Sequence, residues 1–160
     1  MKNNTLTIIL ALACFSLSAQ VDKTAITTDF MNGAVSAAKH NSLKKHFSPN
    51  LVLTWPDGSN WPDGNDGSLE QFWPFYTGHH KRYKTRFPTL EVRELGNETY
   101  VFFVWEATVN ENEQHPEWIG TTAVGPGAYR ILWEDDKIKH IYFYVDFKSR
   151  EAQHEAASKK

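Results

Sequence analysis

Between Tyr129 and Phe147 apolar and polar side chains alternate through two β-rich runs separated by Glu134-Asp135-Asp136-Lys137. That pattern predicts a hairpin of two long strands joined by a polar turn. In the second run Ile141, Phe143, Val145 and Phe147 fall on one face, and His140, Tyr142, Tyr144 and Asp146 on the other. The first face suits a core, whereas the second carries titratable and hydrogen-bonding groups side by side on a rigid element. Upstream, residues 87–95 and 99–109 read as strands, as does a longer run from about 119 to 133. Within that run Gly125-Pro126-Gly127 predicts a bulge or bend.

Residues 24–46 place Ile26, Phe30, Val35, Ala38 and Leu43 at helix-like intervals, with Gly33 as a weak point and a break near His40-Asn41-Ser42. One long helix followed by a short one is expected, stopped by Ser48-Pro49-Asn50. Residues 51–55 then form a short strand entering a loop at 56–67 that contains Trp-Pro-Asp-Gly twice, a turn signature too short to be a structural repeat. Ser68 is the expected N-cap of a helix running from Leu69 to about Tyr76, with Gln71 at the capping-box position, Pro74 distorting its end and Gly78 terminating it. Residues 148–160 are charged and polar, so the tail is expected to fray, with 154–160 outside the domain. Helices first, one helix between strands, then consecutive long strands make an α+β class.

The first 20 residues change the picture of location. Lys2, a mostly apolar stretch from Leu6 to Leu17, and the small residues Ser16, Ser18 and Ala19 before Gln20 have the layout of a secretory signal peptide cleaved near residue 19 or 20. A periplasmic or secreted protein is therefore expected, with residues 21–153 forming one domain and no membrane span. The only cysteine, Cys14, lies in this leader, which removes disulfides and cysteine nucleophiles from the processed chain. A lipid anchor on Cys14 is the competing reading, although Ala11 and Leu12 ahead of it fit a lipoprotein signal poorly. A net charge of -2 provides no field for a polyanion, so nucleic acid is not an expected partner. Six tryptophans, by contrast, are enough to line a cleft in which ring faces stack.

The order of elements, the strand-then-proline entry at residues 51–56, the helix leading into Arg86-Phe87-Pro88 and the ending at residues 136–146 together resemble the nuclear-transport-factor-2-like superfamily. Within it, the SnoaL-like polyketide-cyclase branch is the nearest in character. The resemblance covers roughly residues 24–153. It implies a curved antiparallel sheet wrapped around helices with a conical pocket at the open end, a cystatin-like α+β roll. Isomerases, dehydratases, cyclases and non-catalytic members share that fold, which therefore names no reaction. In the steroid-isomerase branch a carboxylate base precedes the proline after the first strand; here Trp55 stands at that position.

Candidate catalytic residues follow from chemistry. Asp57 sits one residue beyond Pro56, within reach of a pocket mouth but also in a Pro-Asp-Gly turn. His79 and His80, with Tyr76 nearby, are suited to remove a proton and return it to a leaving group while a phenol donates to an oxyanion, as dehydration requires. The scytalone-dehydratase branch resembles that combination. As part of a helix-to-strand segment, the two histidines read equally well as a solvated loop. Tyr144 and Asp146 join them if the polar face of the last strand lines the cone; if it faces outward, the same residues form a homodimer surface of the kind such sheets make. Trp55, Trp61 and Trp105 are expected to stack on substrate, and Arg82 to clamp a carboxylate. Glu106 is a further acid, on the strand face away from Trp105. No His-x-x-x-His spacing, calcium loop or serine-nucleophile elbow is present, and neither metal nor cofactor is expected. The leading expectation is a dehydratase acting on a small polar ring such as a sugar acid or oligosaccharide end; a ligand-binding module and a dimeric scaffold are the alternatives.

Overall fold

The computed structural model describes residues 21–33 and 42–160. The expected leader, most of the expected break near residues 40–42 and the helical positions Val35 and Ala38 lie outside the described residues. Helix α1, Lys23–Met31, starts on an Asp22 cap whose carboxylate accepts the Ala25 amide, and ends at Gly33, whose φ of +68° leaves the helical range. The long first helix, expected to run from residue 24 to the break near residues 40–42, therefore ends at Met31, and a helical turn at 42–44 precedes the sheet.

Six strands follow: β1 (Phe47–Thr54), β2 (Asn60–Asp63), β3 (Tyr83–Leu95), β4 (Glu98–Val109), β5 (Thr122–Glu134) and β6 (Lys137–Val145). They form one sheet in the order β2-β1-β6-β5-β4-β3, antiparallel except for β1 beside β6. Two expectations change here. Ser48-Pro49-Asn50 lies inside β1 rather than ahead of it, and the loop at 56–67 contains the short strand β2. The β5–β6 hairpin closes through Asp135 and Asp136 with φ of 48° and 58°, the left-handed pair that a two-residue turn between twisted strands requires.

Helix α2, Ser68–Arg82, runs past both Pro74 and Gly78 and passes directly into β3. Its expected end near Tyr76 is wrong for a tertiary reason. An interior proline costs about 3 kcal/mol and a glycine about 1, but Leu69, Phe72 and Tyr76 form a buried stripe at helical spacing. Each large apolar side chain so buried contributes about 1.5–3 kcal/mol. Phe72 and Tyr76 stack on one another at 5.7 Å, and the Tyr76 hydroxyl donates to the Phe30 carbonyl at 2.9 Å. Gly67, not Ser68, precedes the helix, so the expected side-chain cap is not used.

The core lies on the inner face of the curved sheet, under α1 and α2, around Phe47, Leu51, Leu53, Val101, Ile131 and Ile141. A bulge at Phe87-Pro88 maintains that face: Arg86 pairs with Glu106 but Thr89 with Val104, one extra residue on β3. Tyr83, Thr85 and Phe87 face inward before the bulge, and Leu90 and Val92 after it, where strict alternation would have turned Glu91 and Arg93 in. The bulge expected at residues 125–127 is not there, because β4 and β5 pair in unbroken register from Glu98↔Leu132 to Thr108↔Thr122.

The expected polar tail is helix α3, Phe147–Ser158, capped by the Asp146 carboxylate on the Ser149 amide. It docks where β6 has ended: the Gln153 side-chain amide exchanges two hydrogen bonds of 2.9 Å with the Val124 backbone, standing in for the missing strand. One residue on, His154 is 0% exposed and its Nδ1 lies 2.8 Å from the Thr121 hydroxyl. Among the described residues no helix is long and apolar enough to cross a membrane.

Candidate functional site

Between the inner sheet face, the C-terminal half of α2 and the start of α3 lies a cavity of about 320 Å³. Most of its wall is aromatic. Tyr129 meets Phe103 edge-on at 4.9 Å and Phe143 at 4.6 Å, and Trp55 stacks on Phe143 at 5.1 Å. Two glycines make room for this wall. Gly125 and Gly127 pair with Trp105 and Phe103, and a Cβ at either would meet those rings at 2.7 and 2.5 Å. The Gly-Pro-Gly run is thus a seat for cross-strand rings in an unbroken strand. Trp105 is further held by its indole N–H, which donates to the Pro126 carbonyl at 3.3 Å.

The polar groups gather at one edge. His79 and His80 occupy the last turn of α2 and point differently: His80 packs against Tyr76 at 4.6 Å and close over Gly33, and His79 lies 5.0 Å from Tyr83 on β3. Among the described residues His79 has no hydrogen-bond partner. Burial, then the charges of Arg150, His80 and Arg82, lower its pKa to about 3, so its imidazole is neutral at physiological pH. Burial raises the Tyr129 phenol far above its ordinary value, against a smaller opposing effect of Arg150, and keeps it a proton donor. Arg150, from the first turns of α3, and Thr85, from β3, complete the edge.

The structure divides the residues expected from sequence. His79, His80, Tyr76, Arg82, Trp55 and Trp105 line the cavity. Asp57, Tyr144 and Asp146 do not: they border a separate, open hollow beyond Trp55 and Phe147, because the polar face of β6 turns outward and leaves Tyr144 54% exposed. Asp57 accepts the amide and hydroxyl of Ser59 in its turn, which lowers its pKa, and Asp146 is the cap of α3. Trp61 packs on the lining residue Phe75 at 5.1 Å without itself lining the cavity, and Glu106 pairs with Arg86 on the outer face. Arg82 reaches the rim exposed to solvent; the guanidinium drawn inward is Arg150, which sequence reading missed. Its signal was the spacing of Phe147, Arg150 and His154 on one helical face, faint because only one of the three is apolar.

Among the described residues no group of three His, Asp or Glu side chains is placed to hold a metal ion. No family model and no curated protein matches the sequence. Among solved structures the chain is similar to a proposed polyketide cyclase of Xanthomonas campestris pv. campestris, with 16% identity over 82% of this chain and 95% of that one and a TM-score of 0.65. It is also similar to a proposed SnoaL-like polyketide cyclase of Jannaschia sp. CCS1, with 11% identity over 83% and 91% and a TM-score of 0.67. A third is TerC, crystallised with polyporic acid, with 14% identity over 82% and 96% and a TM-score of 0.55. At such identities the likeness is one of fold: the chain has the cone-shaped α+β fold of these polyketide-cyclase-like structures, the fold that the sequence resemblance implied.

Proposed function

We propose that the cone takes up one small, planar, hydrocarbon-rich ring molecule, that His79 exchanges a proton with it and that Tyr129 donates a hydrogen bond to it. Among lyase and isomerase steps, dehydration suits these residues best. The observation that carries the reading is an aromatic cavity whose lining includes both an imidazole that burial keeps neutral, His79, and a phenol that burial keeps protonated, Tyr129. A sugar acid or oligosaccharide end fits these walls poorly, because most of its hydroxyls would lose water without gaining a partner. An aromatic or polycyclic compound instead meets ring faces throughout. The co-crystallisation of TerC with polyporic acid supports a small organic ligand.

In the proposed step His79 accepts a proton from carbon next to a carbonyl, and Tyr129 donates a hydrogen bond to the oxygen that gains charge. The carbon–oxygen bond to the neighbouring hydroxyl then breaks, a carbon–carbon double bond forms, and His79 returns the proton to the departing hydroxyl to release water. A low proton affinity weakens His79 as a base but strengthens its conjugate acid for that second transfer. Incubation with aromatic β-hydroxy ketones, followed by ultraviolet absorbance of the conjugated product, tests it. His79→Gln is expected to lower kcat/KM by ~10²–10⁴-fold and Tyr129→Phe by less; full activity in the His79 variant removes the mechanism.

A specific observation favours a second reading, binding without chemistry. Trp55, where the isomerase branch carries its base, is stacked on Phe143, and the one carboxylate lining the cavity among the described residues, Glu151, is exposed. On that reading ring compounds raise the melting temperature and leave unchanged.

A further inference from the structure

We propose that Arg150 and Thr85 form an anion subsite at the polar edge of the cavity, so that the ring molecule it takes is a carboxylic acid bound as its carboxylate. This rests on the cavity being the binding site. Two buried polar atoms of its lining, Nε of Arg150 and Oγ1 of Thr85, have no hydrogen-bond partner. A buried N–H without a partner is costly, and buried polar groups are seldom left unmatched.

Elsewhere the cations that approach the interior are answered by the protein itself. Buried Lys23, for example, donates to the Gly96 carbonyl at 2.8 Å and lies 3.6 Å from Glu94. Arg150 has no carboxylate within ion-pair distance among the described residues. Glu151, its neighbour in sequence, lines the same cavity but is exposed and makes no ion pair with it.

Arg150 is nevertheless held in place. Its guanidinium lies 4.8 Å from the centre of the Tyr83 ring and 5.0 Å from that of Phe147. The helix behind it is fixed by Gln153 and His154, three and four residues on. Tyr83 and Thr85 are successive inward positions of β3, about 6–7 Å apart, and the guanidinium over the Tyr83 ring lines the same cavity as Thr85. A planar fork of N–H donors with a hydroxyl next to it matches a carboxylate: two oxygens meet the fork, and one also accepts from Thr85. The aromatic wall then receives the ring.

Calorimetric titration of the full chain with naphthoate and with naphthamide tests the subsite, since the two share a ring and differ in charge. The acid is expected to bind ~10-fold or more tightly than the amide. Arg150→Met, which retains an apolar stem, is expected to abolish the preference and bring acid and amide within ~3-fold of each other; Thr85→Val reduces the preference by a smaller factor. Equal binding of acid and amide by the unaltered protein overturns the subsite, leaving water as its occupant and the ring-binding cavity intact. An acid preference that survives Arg150→Met overturns the role of Arg150. Binding of neither compound overturns the subsite together with the cavity reading. The comparison on the unaltered protein needs no variant, so a failure of Arg150→Met to fold leaves the first arm decisive.

Discussion

The two faces of β4 and β5 differ in how their polar groups are answered. On the outer face Glu98 receives both Arg130 and the Tyr100 hydroxyl, Arg86 meets Glu106, and His140 lies 2.7 Å from the Thr54 hydroxyl while stacked on Tyr142 at 4.1 Å. On the inner face a hydrocarbon wall ends at His79, Thr85, Tyr129 and Arg150, and two buried polar atoms among them, the Thr85 hydroxyl oxygen and the Arg150 Nε, have no partner among the described residues. Titratable residues alone are therefore a poor guide to a site. The face richer in them satisfies itself, and the poorer face retains the unmet valences that a ligand would fill.

Three changes test this contrast, from the largest expected effect to the smallest. Gly127→Ala drives a methyl into the Phe103 ring, a collision that overpacked cores answer with about 1–3 kcal/mol of lost stability. Urea unfolding reads it, and an unchanged midpoint would show that the inner wall yields. Acid comes next. The fold lowers the pKa values of His46, His79, His140 and His154, in each case first through burial. Below about pH 6.5 the unfolded chain binds protons that the folded one refuses, so stability falls as pH drops from there toward the folded values. For His79 the folded value is about 3, and the slope over that interval is at most about 1.4 kcal/mol per pH unit. His79→Gln should flatten it; an unaltered slope would mean the imidazole is better solvated than its surroundings imply. Glu98, held at about 2 by Arg130 and Tyr100, contributes stability that is lost as pH falls from its ordinary value of 4.5 toward that value, and so overlaps only the acid end of the window in which the histidines act. Glu98→Gln accordingly lowers the melting temperature by no more than about 2–4 °C and leaves ring-ligand binding untouched.

Local pattern made part of this legible. The alternation through Tyr129 to Phe147 and the Asp135-Asp136 turn are short-range rules, and the hairpin obeys them. What escaped was set by distant contacts. Helix α2 crosses Pro74 and Gly78 because Phe72 and Tyr76 have a core to enter. Helix α3 forms from a polar sequence because Gln153 and His154 find backbone and hydroxyl partners about thirty residues upstream. The site divided in the same way: residue type picked out His79 and His80, but alternation alone leaves open which face of β6 is inside, and so Tyr144 and Asp146 were grouped with them. Only the faint helical spacing of Phe147, Arg150 and His154 marks Arg150 as the inward guanidinium, since its position depends on where α3 docks.

Gly125 and Gly127 hold the inner wall back by what they lack. The room inside the cone is bounded on that side by two absent methyl groups, so the width of guest it accepts is written in a pair of positions that touch no guest. Widening or narrowing the chamber would begin there, on the strand behind the rings, with the acid–base residues left as they are.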